Sequence, residues 1–184
     1  MVAIKELGFV KPVDLPYGLF LLEQQIFKNY YGCPDKYEDF LRKFKEHDVA
    51  CFCMHDNGTI FGARIIVKIT ENHVHGYCIA IAEEYRGKGY AKVLMKKNID
   101  FLTRNRIKYM TSFTMIPDVI FNLYKTSGLV VVGLEEMIEE EVKLFKNLNN
   151  YFKRDLAPAR ILPRYYKLKN GRSLDGYFVA CKIV

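Results

Sequence analysis

Between residues 82 and 91 the hydrophobic pattern of this chain changes period, and that change constrains its fold more than any other feature. Residues 74–82 read as a strand, entered from a turn at Glu71-Asn72. Downstream, Ala91, Leu94, Met95, Ile99 and Leu102 recur at helical spacing as far as residue 104, and another strand follows at 107–115. The join contains glycines at 87 and 89. A strand, a glycine-rich turn, a helix and a second strand make a right-handed crossover, so the two strands should run parallel.

The rest of the chain is arranged around that unit. Residues 49–55 and 60–69 are joined by Asp56-Asn57-Gly58-Thr59, and Asn-Gly between two apolar runs is a strong hairpin signal. Residues 49–82 therefore read as an antiparallel meander. Residues 2–10 form a strand candidate. A helix is expected near 16–31, with Leu19, Leu22, Ile26 and Tyr30 on one face and Pro16 in its first turn. Asp35 followed by Glu38 resembles a capping box opening a helix to about residue 46, with Tyr37, Phe40, Leu41 and Phe44 as its buried stripe. After residue 115 the pattern gives a short helix at 117–127 stopped by Gly128, a strand at 129–132 and a helix at 134–153. A basic, proline-containing loop at 154–172 and a final strand at 177–184 complete it. This is one α+β domain over 1–184, in α/β/α layers: N-terminal helices at 14–46, a core at 49–133, and a C-terminal helix, loop and strand at 134–184.

A chain of 184 residues buries roughly 70% of its unfolded surface and needs no disulfide or metal to hold a core. Its cysteines, Cys33, Cys51, Cys53, Cys78 and Cys181, are odd in number, and three fall in apolar runs. They read as reduced core thiols of a cytoplasmic protein. Cys51 and Cys53 have no second pair, so no metal site is expected. The N-terminus lacks the apolar core of a signal peptide, and no apolar stretch approaches the roughly 18 to 20 residues that cross a bilayer, so no membrane partner is expected. The formal charge of +7 suits an anionic partner, either a nucleotide cofactor or a nucleic acid.

The run Arg86-Gly87-Lys88-Gly89-Tyr90-Ala91 stands between strand and helix. Its glycines let successive amides converge on a helix N-terminus, which carries about half a positive charge and several orphan donors. A pyrophosphate fits there, with Arg86 and Lys88 adding formal charge. Neither a Walker loop nor a dinucleotide fingerprint is present.

With the strand before it, Ile79-Ala80-Ile81-Ala82-Glu83-Glu84-Tyr85-Arg86-Gly87-Lys88-Gly89-Tyr90-Ala91 resembles the Gln/Arg-x-x-Gly-x-Gly/Ala motif of the GCN5-related N-acetyltransferases. Leu123-Tyr124-Lys125-Thr126-Ser127-Gly128-Leu129 resembles that family's Leu-Tyr-x-x-x-Gly-Phe, 38 residues beyond Arg86. The resemblance covers 49–133 well, 1–48 loosely and 134–184 hardly at all. It implies the acyl-CoA N-acyltransferase fold: a mixed, mostly antiparallel sheet with splayed parallel central strands, plus a helical insertion before the last strand. It implies acetyl-CoA as co-substrate, with main-chain groups of Ile79, Ala80 and Ile81 along the pantetheine arm. The amides of 87–91, with Arg86, Lys88 and Lys125, would hold the pyrophosphate, and Tyr124 would protonate the departing thiolate. The chain departs from the family at Pro117, where Asn is usual, and at Leu129, where Phe is usual.

Acyl transfer to an amine needs a neutral nucleophile. An amine of pKa near 10.4 is only about one part in 2,500 neutral at pH 7, which costs roughly 4.6 kcal/mol. A base is therefore expected at the open end of the cofactor strand. Candidates are Glu71, His73, His75, Tyr77 and Glu83. Period-two alternation, if no bulge intervenes, would put His73, His75, Tyr77, Ile79 and Ile81 on one face, and His75 is preferred because its pKa lies nearest the operating range. The expected function is acetyl transfer to a primary amine of a small molecule or peptide, with His75, a nearby carboxylate or water as base and Tyr124 as acid. Alternatives are a macromolecular acceptor (a protein amine or aminoacyl-tRNA) or a non-catalytic CoA-binding module. Arg154, Arg160, Arg164 and Lys167 admit a nucleic-acid partner, although no aromatic stacking set is interleaved with them. The acceptor itself and the choice between monomer and homodimer are not legible.

Overall fold

The computed structural model describes residues 2–28, 34–44, 47–114, 122–124, 126–127, 130–131, 164–167 and 173–182; for 113–114, 130–131, 164–167 and 173–182 it describes the backbone only. Strands β1 (Ala3–Val10), β2 (Val49–Asp56), β3 (Thr59–Thr70) and β4 (His73–Ile81) form an antiparallel meander. The tight turn between β2 and β3 has Asn57 and Gly58 at φ 47° and 82°, the left-handed pair that an Asn-Gly hairpin requires. β4 then pairs in parallel with β5 (Tyr109–Thr114) across the helix α3 (Tyr90–Arg104), as the change of period requires. β6 (Val130–Val131), β7 (Arg164–Lys167) and β8 (Ser173–Lys182) complete the sheet in the order β1-β2-β3-β4-β5-β8-β6, with β7 on β8.

Two helices, α1 (Tyr17–Phe27) and α2 (Tyr37–Arg42), cover the face opposite α3. Strand alternation sorts the core between them. Phe52 meets Phe101 of α3 edge-on at 5.5 Å, whereas Tyr77 meets Phe44, just beyond α2, at 4.8 Å. Cys51 and Cys53 are buried free thiols.

Several expectations shift. α2 starts from an extended Lys36 whose side chain caps nothing, so Asp35 stands one residue ahead of the N-cap position. Pro16 is the N-cap of α1, just outside its first turn. Residues 164–167, expected within a loop, form a strand because β8 begins early enough to pair with them. The expected helix at 134–153, Tyr30, Pro117 and most of 117–127 lie outside the described residues.

Candidate active site

β4 and β5 are paired only from His73↔Tyr109 to Gly76↔Ser112, and beyond that point β4 continues to Ile81 on β3 without β5. The cause is a bulge. Ile65 faces Cys78 but Ile66 faces Gly76, so Tyr77 is an extra residue in β4, and an extra residue bends and twists its strand. β5 meanwhile follows β8 as far as Thr114↔Tyr177. A V-shaped opening results, with Gly76 and Ser112 at its vertex.

The bulge overturns the expected alternation. His73, His75 and Tyr77 lie on the α1/α2 face, but Ile79 stands opposite Arg64 on the α3 face. Ala82 N–H donates to the Phe61 carbonyl at 2.7 Å. Antiparallel alternation from that bond pairs Ala80 with Ala63 and turns the main-chain groups of Ile79 and Ile81 away from β3, into the opening.

The glycine loop closes the wide end of the V. A 3-10 turn (Glu83–Tyr85) leads to Gly87 at φ 75° and Gly89 at φ 79°, both left-handed, with Gly89 as the N-cap of α3. Gly89 carbonyl accepts from Lys92 and Val93, which leaves the amides of Tyr90 and Ala91 as orphan donors at the helix start. Arg86, Gly87, Lys88 and Gly89 are all exposed. Arg86 Nε donates to Ile81 carbonyl at 3.1 Å, and Lys88 Nζ donates to Glu84 carbonyl at 3.1 Å. Neither side chain makes an ion pair among the described residues. Aromatic residues pin the loop: Tyr85 stacks on Phe61 at 4.0 Å and donates to Asp56 at 2.8 Å, and Tyr90 meets Phe61 at 5.2 Å.

At the vertex, Tyr124 is 1% exposed and its hydroxyl donates to Ser112 Oγ at 2.6 Å. His73 and His75 lie deeper, in the paired part of the strands. His73 Nε2 is 2.9 Å and His75 Nδ1 3.1 Å from Thr111 Oγ1. One hydroxyl has one proton, so Thr111 can donate to one ring while accepting from the other. Burial pushes the His73 pKa down to about 4. Burial, then the charges of His73 and Arg64, push His75 to about 3, far from the operating range expected of it.

On the α1/α2 side, Glu23 of α1 is buried. Its Oε1 accepts from Lys43 Nζ at 2.6 Å and from Tyr77 hydroxyl at 2.9 Å, while Oε2 is buried with no partner among the described residues. Glu23, Ser112 and Arg64 are not among the site residues expected from the sequence. Glu23 carried a signal, as a charge four residues after Leu19 within the apolar stripe of α1. Lys125 lies outside the described residues. Among the described residues no group of three His, Cys, Asp or Glu could hold a metal, and no helix is long and apolar enough to cross a membrane.

An open strand edge leading from a glycine-rich helix N-terminus to a buried phenol is a slot for a long thin ligand with a phosphate at one end. Residues 18–120 match the family model of the acetyltransferase (GNAT) family. The chain belongs to that family. Among solved structures it is similar to the ribosomal-protein-S18-alanine N-acetyltransferase of Escherichia coli, with TM-score 0.64 and 18% identity over 100% of this chain and 94% of that one. It is also similar to the spermidine N-acetyltransferase of Vibrio cholerae, solved with CoA and spermine, with TM-score 0.60 and 14% identity over 99% and 95%. A GNAT family acetyltransferase of Elizabethkingia anophelis with acetyl-CoA bound gives TM-score 0.56 and 14% identity over 99% and 97%. At these identities the likeness is one of fold. No curated protein matches the chain significantly.

Proposed function

We propose that this GNAT domain transfers an acetyl group from acetyl-CoA to a primary amine of a small molecule or peptide. The observation that carries this is the V between β4 and β5, with orphan helix amides at its mouth and the Tyr124–Ser112 pair at its vertex. The amides of Gly87 to Ala91 hold the pyrophosphate, with Arg86 and Lys88 beside them. The outward main-chain groups of Ile79 and the outward amide of Ile81, on either side of Ala80, align the pantetheine arm as an added strand, which delivers the thioester to the vertex. The amine attacks the carbonyl directly, and Tyr124, a neutral phenol, gives its proton to the sulfur as the C–S bond breaks.

The base is better assigned to a carboxylate than to His75. An imidazole pushed to about 3 takes an ammonium proton poorly, and Nδ1 of His75 is engaged by Thr111. Glu23 faces the amine side through Tyr77 at the bulge and keeps one oxygen without a partner, so it can draw the proton directly or through water.

Thiol release from acetyl-CoA tests this, scanned over polyamines, amino acids, alanine-starting peptides and charged tRNA. Amine-dependent release that falls by about a hundredfold in Tyr124→Phe is expected. Failure of acetyl-CoA to bind ends the proposal. Tight binding with no turnover over the whole panel makes the domain a non-catalytic CoA-binding module. The formal charge of +7 favours including macromolecular acceptors, and turnover confined to peptides or tRNA would assign one.

A further inference from the structure

Arg64 is the largest fully buried side chain among the described residues, and it is charged. It stands on β3 between Phe52 and Ile79, on the α3 face. Among the described residues, its Nη1 donates to the Cys78 carbonyl at 3.1 Å, Nη2 reaches only the Met110 sulfur at 3.1 Å, and Nε has no partner. A thioether is a weak acceptor, and a guanidinium cannot shed its proton to escape burial. None of the ion pairs among the described residues includes it. Leaving a buried charge unmatched is costly, and a clamp on the Cys78 carbonyl could be made by a neutral donor. Among the described residues this positive charge therefore has no negative partner.

Its position shows where a partner would arise. A Cβ built on Gly76 would stand 2.1 Å from Arg64 Nη2 and 2.6 Å from Ser112 Oγ. The guanidinium and the serine hydroxyl thus flank the same small gap at the vertex, and Ser112 Oγ is 2.6 Å from Tyr124 hydroxyl. The other described polar groups around Arg64 are neutral: Asn98 of α3, which shares the Met110 sulfur, and, on the opposite face, His75 and the Cys78 thiol, whose pKa burial pushes up to about 12. Glu23 lies on the α1/α2 face, bonded to Lys43 and Tyr77. Among the described side chains here, the Tyr124 oxygen is the one that gains negative charge during acetyl transfer, when its proton goes to the sulfur.

We propose that Arg64 is the standing counter-charge of Tyr124, a positioning residue that acts through Ser112. The inference rests on Tyr124 being the acid. As the new N–C bond forms and the C–S bond breaks, the electron pair stays on sulfur and the phenol proton moves to it. Negative charge then sits on the Tyr124 oxygen. The Ser112 hydroxyl, an acceptor at rest, turns to donate to that oxygen, and Arg64 lies behind it. The proton shed by the amine passes to the base and returns Tyr124 to its neutral form. Gly76 is required because any side chain would separate the cation from the serine.

The test is a double-mutant cycle on kcat, using acetyl-CoA and whichever panel amine is turned over fastest. Arg64→Met should lower kcat about tenfold or more, leave KM for acetyl-CoA within about twofold, and move the alkaline limb of the pH profile to higher pH. Arg64→Lys should retain most of the rate and the limb. In a Tyr124→Phe background, Arg64→Met and Ser112→Ala should each cost less than about twofold, because the charge they serve no longer forms. Equal losses in both backgrounds would show a structural role and overturn the inference. If Tyr124→Phe is slow but Arg64→Met is not, the inference fails while the acid assignment stands. If Tyr124→Phe keeps the wild-type rate, both fail. Should Arg64→Met not fold, Ser112→Ala carries the same cycle with the cation in place, and equal losses there overturn the inference.

Discussion

Gly76→Ala tests the vertex with one methyl group. The new Cβ would meet Arg64 Nη2 at 2.1 Å, Ser112 Oγ at 2.6 Å and Arg64 Cζ at 2.9 Å, all well inside van der Waals contact. The guanidinium cannot swing aside cheaply, because Cys78 carbonyl and Met110 sulfur hold its two ends in a fully buried site. Overpacking a core costs about 1–3 kcal/mol, and a pinned charged neighbour puts this substitution near the upper end, at about 3 kcal/mol. For a chain of this length that lowers Tm by roughly 6–12 °C, which scanning calorimetry and urea unfolding both resolve. Gly8→Ala is the control, since its Cβ would meet only Phe101 at 3.9 Å and should change stability by less than about 0.5 kcal/mol. In an Arg64→Met background the clash is relieved, so the cost of Gly76→Ala should fall by about half or more. A Gly76→Ala protein that melts like wild type, or loses as much in the Arg64→Met background, would refute the proposed packing of the vertex.

Gly89→Ala forces a residue with a Cβ to φ 79°, where nothing crowds the new atom but the backbone itself is strained by about 1–2 kcal/mol. The exposed loop can relax out of shape, so the loss should appear as roughly five- to thirtyfold weaker acetyl-CoA binding by calorimetry, with Tm little changed. Glu23→Gln should lower kcat by about a hundredfold while acetyl-CoA affinity stays within twofold, and an unchanged kcat would remove Glu23 as base. His73 and His75 have folded pKa values of about 4 and about 3, below the ordinary 6.5, so the unfolded chain binds their protons more readily. Their contribution is therefore full above about pH 6.5 and is lost as pH falls from there toward 4 and below. Urea unfolding at pH 7.5, 6 and 5 should show falling stability, and His75→Asn should flatten that slope.

Local signals predicted the parallel β4–β5 pair and the meander. The changed period after residue 82 and the Asn57-Gly58 turn each act within a few residues, and the glycine loop was placed by the same means. The bulge at Tyr77 was not legible, because it is a mismatch between two strands and leaves no mark in β4 alone. Without it His73 and His75 fall in line with Ile79, and His75 is preferred for its ordinary imidazole pKa, which burial in the paired strands pushes down to about 3. Arg64 read as one polar residue in a β-strand; only register against β4 and β5 brings it to the vertex. Ser112 gave no signal at all, since its role depends on Tyr124 reaching it from a helical turn twelve residues further along the chain. Local chemistry was legible in the sequence, and contacts between separate strands were not.

The central claim is that acetyl-CoA lies in the V between β4 and β5, and a crystal structure of the chain with acetyl-CoA tests it most directly. The account predicts pyrophosphate over the amides of Gly87 to Ala91, pantetheine along the free edge of Ile79 to Ile81, and the sulfur within hydrogen-bond reach of Tyr124 hydroxyl. Acetyl-CoA bound elsewhere, or its sulfur remote from Tyr124, would contradict it.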